Sequence, residues 1–170
     1  MKSGALLLAA ALLLAPGAAA TPAELRAALP QAQLLGAARF AVFGISIFDA
    51  ELYGVGETFN WRAPFALSLT YRKRISDDAL VARSIDEMAE RSSVDAAALA
   101  PLRRQLDACF TDVAPSDRFT AVSDGDDSAR FYFNGALRCS VQWPGFRRAF
   151  FGIWLEARDA GFARRLRGEA

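Results

Sequence analysis

Residues 129–155 decide the fold, and they read ARFYFNGALRCSVQWPGFRRAFFGIWL. The first half of this segment predicts two aromatic strands joined at Asn134-Gly135, the dipeptide preferred by the type I′ turn of a two-residue hairpin. That turn places Tyr132 opposite Leu137 across the strand pair. An antiparallel sheet therefore runs through this part of the chain.

The second half of the segment predicts a helix that begins near Pro144 or Gly145. Its apolar residues recur at i, i+3, i+4, i+7 and i+8, the spacing of a single helix face. Those residues are Phe146, Ala149, Phe150, Ile153 and Trp154. The helix is expected to bury this face against the sheet.

Upstream, a second strand pair is predicted at residues 39–42 and 45–53, which are rich in β-branched and aromatic types. A two-residue turn at Phe43-Gly44 would join them and set Arg39 across from Phe48. The other predicted elements are a short helix at 23–28, a half-buried strand at 65–71, helices at 76–88 and 101–110, strands at 118–123, 129–133 and 136–143, and a short polar helix or tail at 164–167. The pattern predicts an α+β fold, an antiparallel sheet with helices on one face.

The first 20 residues have the pattern of an export signal. Lys2 precedes an unbroken apolar run, and Pro16 and three small alanines follow, which predicts cleavage after Ala20. The run is shorter than the ~20 residues that usually span a bilayer, so a retained membrane anchor is the weaker alternative. The sequence thus predicts a signal peptide at 1–20, a single domain at 21–170 and a location in the periplasm or outside the cell, with no stable membrane insertion after cleavage.

Charge and composition narrow the possible partners. The chain has 20 Lys and Arg residues against 19 Asp and Glu residues, without a basic stripe, so nucleic acid is not expected as a partner. It has no histidine, which excludes the usual catalytic triads and any histidine-based metal site. No metal and no cofactor are expected.

The two cysteines, Cys109 and Cys139, have two interpretations. In an exported protein a pair is interpreted first as a disulfide. Two buried free thiols that pack as small hydrophobic groups are the alternative. The pairing predicted from the Asn134-Gly135 turn places Cys139 on one face of the sheet and Phe131 on the other face.

Taken together, the ordered elements resemble the bacterial exported chalcone isomerase-like proteins, over nearly the whole of residues 21–170. The residues that carry the resemblance are Gly36, Arg39, Gly44, Leu52-Tyr53, residues 69–88, Phe133-Asn134-Gly135, residues 149–155 and Leu166-Arg167. The resemblance implies an open-faced β-sandwich, in which a long antiparallel sheet and a layer of helices enclose a ligand cleft.

In the plant enzymes of that family an arginine near the first strand is the main electrostatic group, and Arg39 corresponds to it by the resemblance. The polar residues that accompany it in those enzymes correspond here to Phe48, Ile75 and Ala82, which cannot donate side-chain hydrogen bonds. These replacements argue against cyclisation of a chalcone. As an alternative, Arg39 lies on the surface and pairs with Asp49 or Glu51.

Three functions follow from these observations. The leading hypothesis is non-catalytic binding of a small amphipathic or carboxylate-bearing molecule, such as a fatty acid, which some members of the wider family bind. In this hypothesis Arg39 anchors the ligand, and Phe40, Phe48, Tyr53 and Tyr71 form the walls of the cleft. The alternatives are an isomerase of chalcone-flavanone type that depends on Arg39, and a structural or interaction protein without a ligand, whose aromatic residues are simply core.

Overall fold

The structure, a computed structural model, describes residues 21–169, so the predicted export signal lies outside the described residues. The elements in chain order are α1 (Ala23–Ala28), β1 (Gln33–Val42), β2 (Ile45–Gly54), β3 (Phe65–Tyr71), α2 (Asp77–Ser92), a 3-10 helix (Ala96–Leu99), α3 (Ala100–Cys109), β4 (Arg118–Ser123), β5 (Ser128–Phe133), β6 (Ala136–Gln142), α4 (Phe146–Leu155) and α5 (Ala160–Leu166). The predicted α+β class is confirmed. Within residues 21–169, no helix combines the length and the apolar character needed to cross a membrane.

The six strands form one antiparallel sheet in which sequence neighbours are also spatial neighbours, in the order β1 to β6. Helices α2, α3, α4 and α5 cover one face: α3 packs on β6, α5 packs on β1, and α4 contacts both α2 and α5. The short α1 lies on the other face, where its Leu25 is buried with Tyr53, Ala66 and Val122. Helices therefore occupy both faces, and a ligand-sized space lies between the sheet and the four-helix layer.

Both predicted hairpin turns are present, since Phe43-Gly44 and Asn134-Gly135 all have positive φ, as a type I′ turn requires. The predicted register holds next to each turn but changes further along the strands. In the first hairpin a β-bulge at Ile47 separates the pair Ala41–Ser46 from the pair Phe40–Phe48, so that Arg39 lies opposite Asp49. The prediction that Arg39 faces Phe48 is therefore wrong by one residue, because a bulge inserts one unpaired residue into one strand.

The second hairpin has the same kind of irregularity. Tyr132 pairs with Leu137 as predicted, but a bulge then places Phe131 opposite Cys139. Cys139 consequently packs against the core on the same face as Phe131, which corrects the prediction that they lie on opposite faces. On that face Cys139 forms a disulfide with Cys109, the last residue of α3, with Cα atoms 5.5 Å apart. This separation lies within the normal range for a disulfide.

Helix α4 buries a face that is rotated slightly from the predicted one. Phe146 and Phe150 are buried as expected, and Phe151 and Leu155, which the pattern did not include, are fully buried. Ile153 and Trp154 are only half-buried because they border an open space beneath the helix. The aromatic segment that identifies the fold thus also forms part of the lining of that space.

Candidate functional site

A cavity of about 330 Å³ lies between the sheet and the helical layer. Its floor comes from strands β1 to β5, and its roof comes from α2, α4, the segment after α4 and the start of α5. The apolar side chains that line it are Phe40, Ile47, Phe48, Leu67, Leu69, Tyr71, Ile75, Ala79, Leu80, Phe110, Phe119, Ala121, Phe131, Phe150, Ile153, Trp154, Ala157 and Phe162. Its volume is at the small end of the range of about 300–1,000 Å³ that is typical of ligand pockets.

Stacked and edge-on rings build one end of the cavity. Phe40 and Phe48 stack with centroids 5.0 Å apart, and Phe162 of α5 meets both of them edge-on. The bulge in the first hairpin contributes to this end, because Ile47, the residue that it leaves without a partner, lines the cavity next to Phe48. This end is a rigid aromatic wall suited to an apolar group.

The Tyr71 hydroxyl is a polar group in the otherwise largely apolar lining. Tyr71 is only 6% exposed, and its ring meets Phe48 and Phe119 edge-on. Burial raises the pKa of this phenol well above its ordinary value, so the hydroxyl is neutral at physiological pH. No hydrogen bond joins it to any other group among residues 21–169. The hydroxyl is open to the cavity and can therefore donate to a molecule in it.

The cations of the lining are well exposed, whereas the side chain of Glu87, which also lines the cavity, is only 15% exposed. Arg83 of α2 pairs with Glu87 one turn along, and the Arg83 side chain is 76% exposed. Arg158 pairs with Glu90 and is 75% exposed. Asp159 accepts a hydrogen bond from the backbone N–H of Phe162 at 3.0 Å and so caps α5. Arg83, Glu87, Arg158 and Asp159 thus each have a partner.

Phe40, Phe48 and Tyr71 line the cavity as the sequence predicts, but Arg39 and Tyr53 lie on the other face of the sheet. Arg39 Nε donates to Asp49 Oδ1 at 2.7 Å, and the Arg39 side chain is 56% exposed. The structure therefore corrects the predicted position of Arg39 and Tyr53 in the cleft. Adjacent residues of a strand point to opposite faces, so Arg39 cannot share the face of Phe40.

Asp49 and Glu51, the hydrogen-bond partners of Arg39 and Tyr53 respectively, lie on the same face of the sheet as those two residues. Burial acts to raise the pKa of Asp49, but hydrogen bonds from Arg72 and Arg39 outweigh it and hold the pKa below its usual value. Tyr53 is buried, and its hydroxyl donates to Glu51 at 3.0 Å. These residues stabilise the outer face of the sheet.

The three positions that correspond to polar residues of the plant enzymes provide no polar group to the cavity. Phe48 and Ile75 line it as apolar surfaces, and Ala82 is not part of the lining. The interior therefore lacks the set of donors that would stabilise a developing anion in a transition state.

A buried polar cluster on the other face was not predicted from the sequence. The Glu24 carboxylate, on α1, accepts hydrogen bonds from Arg118 Nη2 at 2.8 and 3.0 Å and from the Thr120 hydroxyl at 2.8 Å. The Thr120 hydroxyl lies 3.1 Å from that of Ser68. Burial acts to raise the pKa of Glu24, but these hydrogen bonds and the Arg118 charge lower it overall. The cluster fixes α1 to the sheet. It depends on the register of β3 and β4, which places Ser68 opposite Thr120.

The sheet order, the helical layer and the cavity between them define a chalcone isomerase fold, an open-faced β-sandwich of the α+β class. Among solved structures the chain is similar to a fatty-acid binding protein of Arabidopsis thaliana that has this fold, with a TM-score of 0.65. The match covers 81% of this chain and 87% of that chain at 9% sequence identity, a level at which the similarity shows the fold alone. No protein-family model and no curated protein matches the sequence.

Proposed function

We propose that this protein binds a small, largely apolar molecule that carries a polar group, such as a fatty acid or a related lipid, without transforming it chemically. The observation that carries the proposal is the cavity itself, about 330 Å³ of space between the sheet and the helical layer that is lined mainly by apolar side chains. Each CH₂ group moved from water into such a lining contributes about 0.8 kcal/mol. The Arabidopsis structural neighbour, itself a fatty-acid binding protein, supports the same class of ligand.

The isomerase alternative has less support. It requires an interior cation or a set of aligned donors. The described lining provides the Tyr71 hydroxyl, the indole N–H of Trp154, the Glu87 carboxylate already paired with Arg83, and Ser84, whose hydroxyl already donates to the Leu80 carbonyl at 2.8 Å. A role for Arg39 in holding the ligand stays a prediction, and its ion pair with Asp49 on the other face argues against direct contact.

Export to the periplasm or beyond is part of the same proposal. The signal pattern at residues 1–20 supports it, and so does the pairing of Cys109 with Cys139, since disulfides persist in oxidising compartments. Cell fractionation and N-terminal sequencing of the secreted form test it. A mature chain that begins at Thr21 is expected, and an intact Met1 terminus in the cytoplasmic fraction would contradict this part of the proposal.

The position of Trp154 gives a direct assay for binding. The chain has three tryptophans, and Trp154 lines the cavity whereas Trp61 and Trp143 do not. Titration with decanoate and with neutral lipids of the same length is expected to change the emission of the wild-type protein saturably. The Trp154→Phe variant should still bind, as measured by native mass spectrometry, but without the emission change. If no probe binds the wild-type protein, the proposal fails and the interaction alternative is favoured.

A matched pair of variants tests whether binding occurs in this cavity. Ala79 and Ala100 are exposed residues in the first turns of α2 and α3, but only Ala79 borders the cavity. Ala79→Phe is expected to weaken binding about tenfold or more, which corresponds to about 1.4 kcal/mol, whereas Ala100→Phe should have no effect. Equal affinities in the two variants would place the binding site elsewhere.

A further inference from the structure

We propose that the Tyr71 hydroxyl anchors the ligand, and that the cavity consequently selects molecules whose buried polar group is an uncharged hydrogen-bond acceptor, such as a ketone or an ester, over carboxylates. This inference rests on the proposed function and deepens it, because it names the chemical class that the site prefers. It also reverses the expectation of an arginine-held anion that the sequence suggested.

The surroundings of the Tyr71 side chain are apolar. The residue is 94% buried, since its exposed fraction is 6%, and it lines the cavity between the rings of Phe48 and Phe119. Its hydroxyl has no hydrogen-bond partner within residues 21–169. The hydroxyl is not one of the enclosed, unpaired side-chain atoms of the described residues, so it is open to the cavity and can donate to a molecule there.

The described part of the lining has no buried positive charge. Its cations are Arg83 and Arg158, and both are about three-quarters exposed and paired with carboxylates, Glu87 and Glu90. A carboxylate carried into the cavity would lose its hydration and meet only neutral donors, the Tyr71 hydroxyl and the indole N–H of Trp154. The desolvation of an unpaired charge costs several kcal/mol, which one or two neutral hydrogen bonds do not offset.

The phenol of Tyr71 matches a carbonyl acceptor. A neutral phenol donates one hydrogen bond, and a carbonyl oxygen needs only one donor to replace a good part of its hydration. The Ser84 hydroxyl, which also lines the cavity, already donates to the Leu80 carbonyl. Tyr71 therefore provides the hydroxyl donor that is available to a guest, the indole N–H of Trp154 is a second neutral donor in the lining, and most of the remaining lining is apolar.

The experiment compares three probes of equal chain length, 2-decanone, decanoate and decane, at pH 7.5, where decanoate is ionised. In the wild-type protein 2-decanone is expected to bind at least about tenfold more tightly than decanoate, because only the anion pays the desolvation cost. In Tyr71→Phe the affinity for 2-decanone should fall about three- to tenfold, the effect of one lost neutral hydrogen bond. The affinity for decane, which has no acceptor, should stay the same or rise.

Tyr53→Phe is the matched control, since Tyr53 is equally buried but lies on the other face of the sheet. It should leave all three affinities unchanged, and circular dichroism shows whether both variants keep the fold. The inference is overturned if decanoate binds as tightly as 2-decanone, or if Tyr71→Phe weakens decane and 2-decanone equally. Either result leaves the proposed lipid-binding function standing, whereas failure of all three probes to bind the wild-type protein removes both.

Discussion

Removing the disulfide between Cys109 and Cys139 is expected to destabilise the protein by about 3–4 kcal/mol. The two cysteines are 30 residues apart, and the chain-entropy model gives about 12 cal/mol/K for a loop of that length, or about 3.6 kcal/mol at 25 °C. For a domain of this size the loss corresponds to a decrease in Tm of about 7–14 °C. The bond also fixes α3 to β6, the edge strand of the sheet, so its loss should loosen that edge first.

Urea unfolding of the wild-type protein and of the double variant Cys109→Ala/Cys139→Ala, each with and without reductant, measures this contribution. Reductant should destabilise only the wild-type protein and bring it close to the double variant. A difference below about 1 kcal/mol, or two alkylated thiols in protein exported by the cell and handled without reductant, would refute the reasoning.

Two further predictions concern the hairpin turn and the buried cluster. Phe43 is fully exposed yet has a φ of 48°, which is costly for a bulky residue, so Phe43→Asn should stabilise the protein by about 1 kcal/mol in urea unfolding, and a loss of stability would contradict the assigned turn. Glu24→Gln should destabilise the protein by about 2–3 kcal/mol at pH 7, because Arg118 loses its carboxylate partner. The Glu24 pKa is lowered by folding, so its contribution is complete above the unfolded value and is lost as the pH falls through the folded value. The stability difference between the wild-type protein and Glu24→Gln should therefore narrow below about pH 4.5, and a difference that is constant from pH 7 to pH 3 would contradict this assignment.

Much of the fold follows from local sequence patterns. The turns at Phe43-Gly44 and Asn134-Gly135 and the N-cap Ser76, whose side chain accepts from Ala79 N, are all where the sequence predicts them. These features depend on residues close together in the chain, which is why a sequence reveals them. The bulges in both hairpins depend on packing between distant elements, and no residue type in the strands marked them.

The candidate site was predicted in part, and one of its errors could have been avoided. Side chains alternate along a strand, so Arg39 and Phe40 cannot both face one cleft in regular pairing, and Phe48 and Tyr53, five residues apart, also point to opposite faces. The predicted set of cleft residues was therefore inconsistent with the geometry of the strands on which it was placed. The sequence predicted Tyr71 as a wall of the cleft but not the donor role that we propose for it, because an unpaired hydroxyl is defined by what surrounds it in three dimensions.

The proposed function depends most on the cavity being an occupied binding site, and a crystal structure of the protein with 2-decanone tests this most directly. We expect the molecule between the sheet and α2, with its carbonyl oxygen about 2.6–3.0 Å from the Tyr71 hydroxyl and its chain along the wall formed by Phe40 and Phe48. A cavity closed by repacked side chains, or a molecule bound beside Arg39 on the other face, would contradict it.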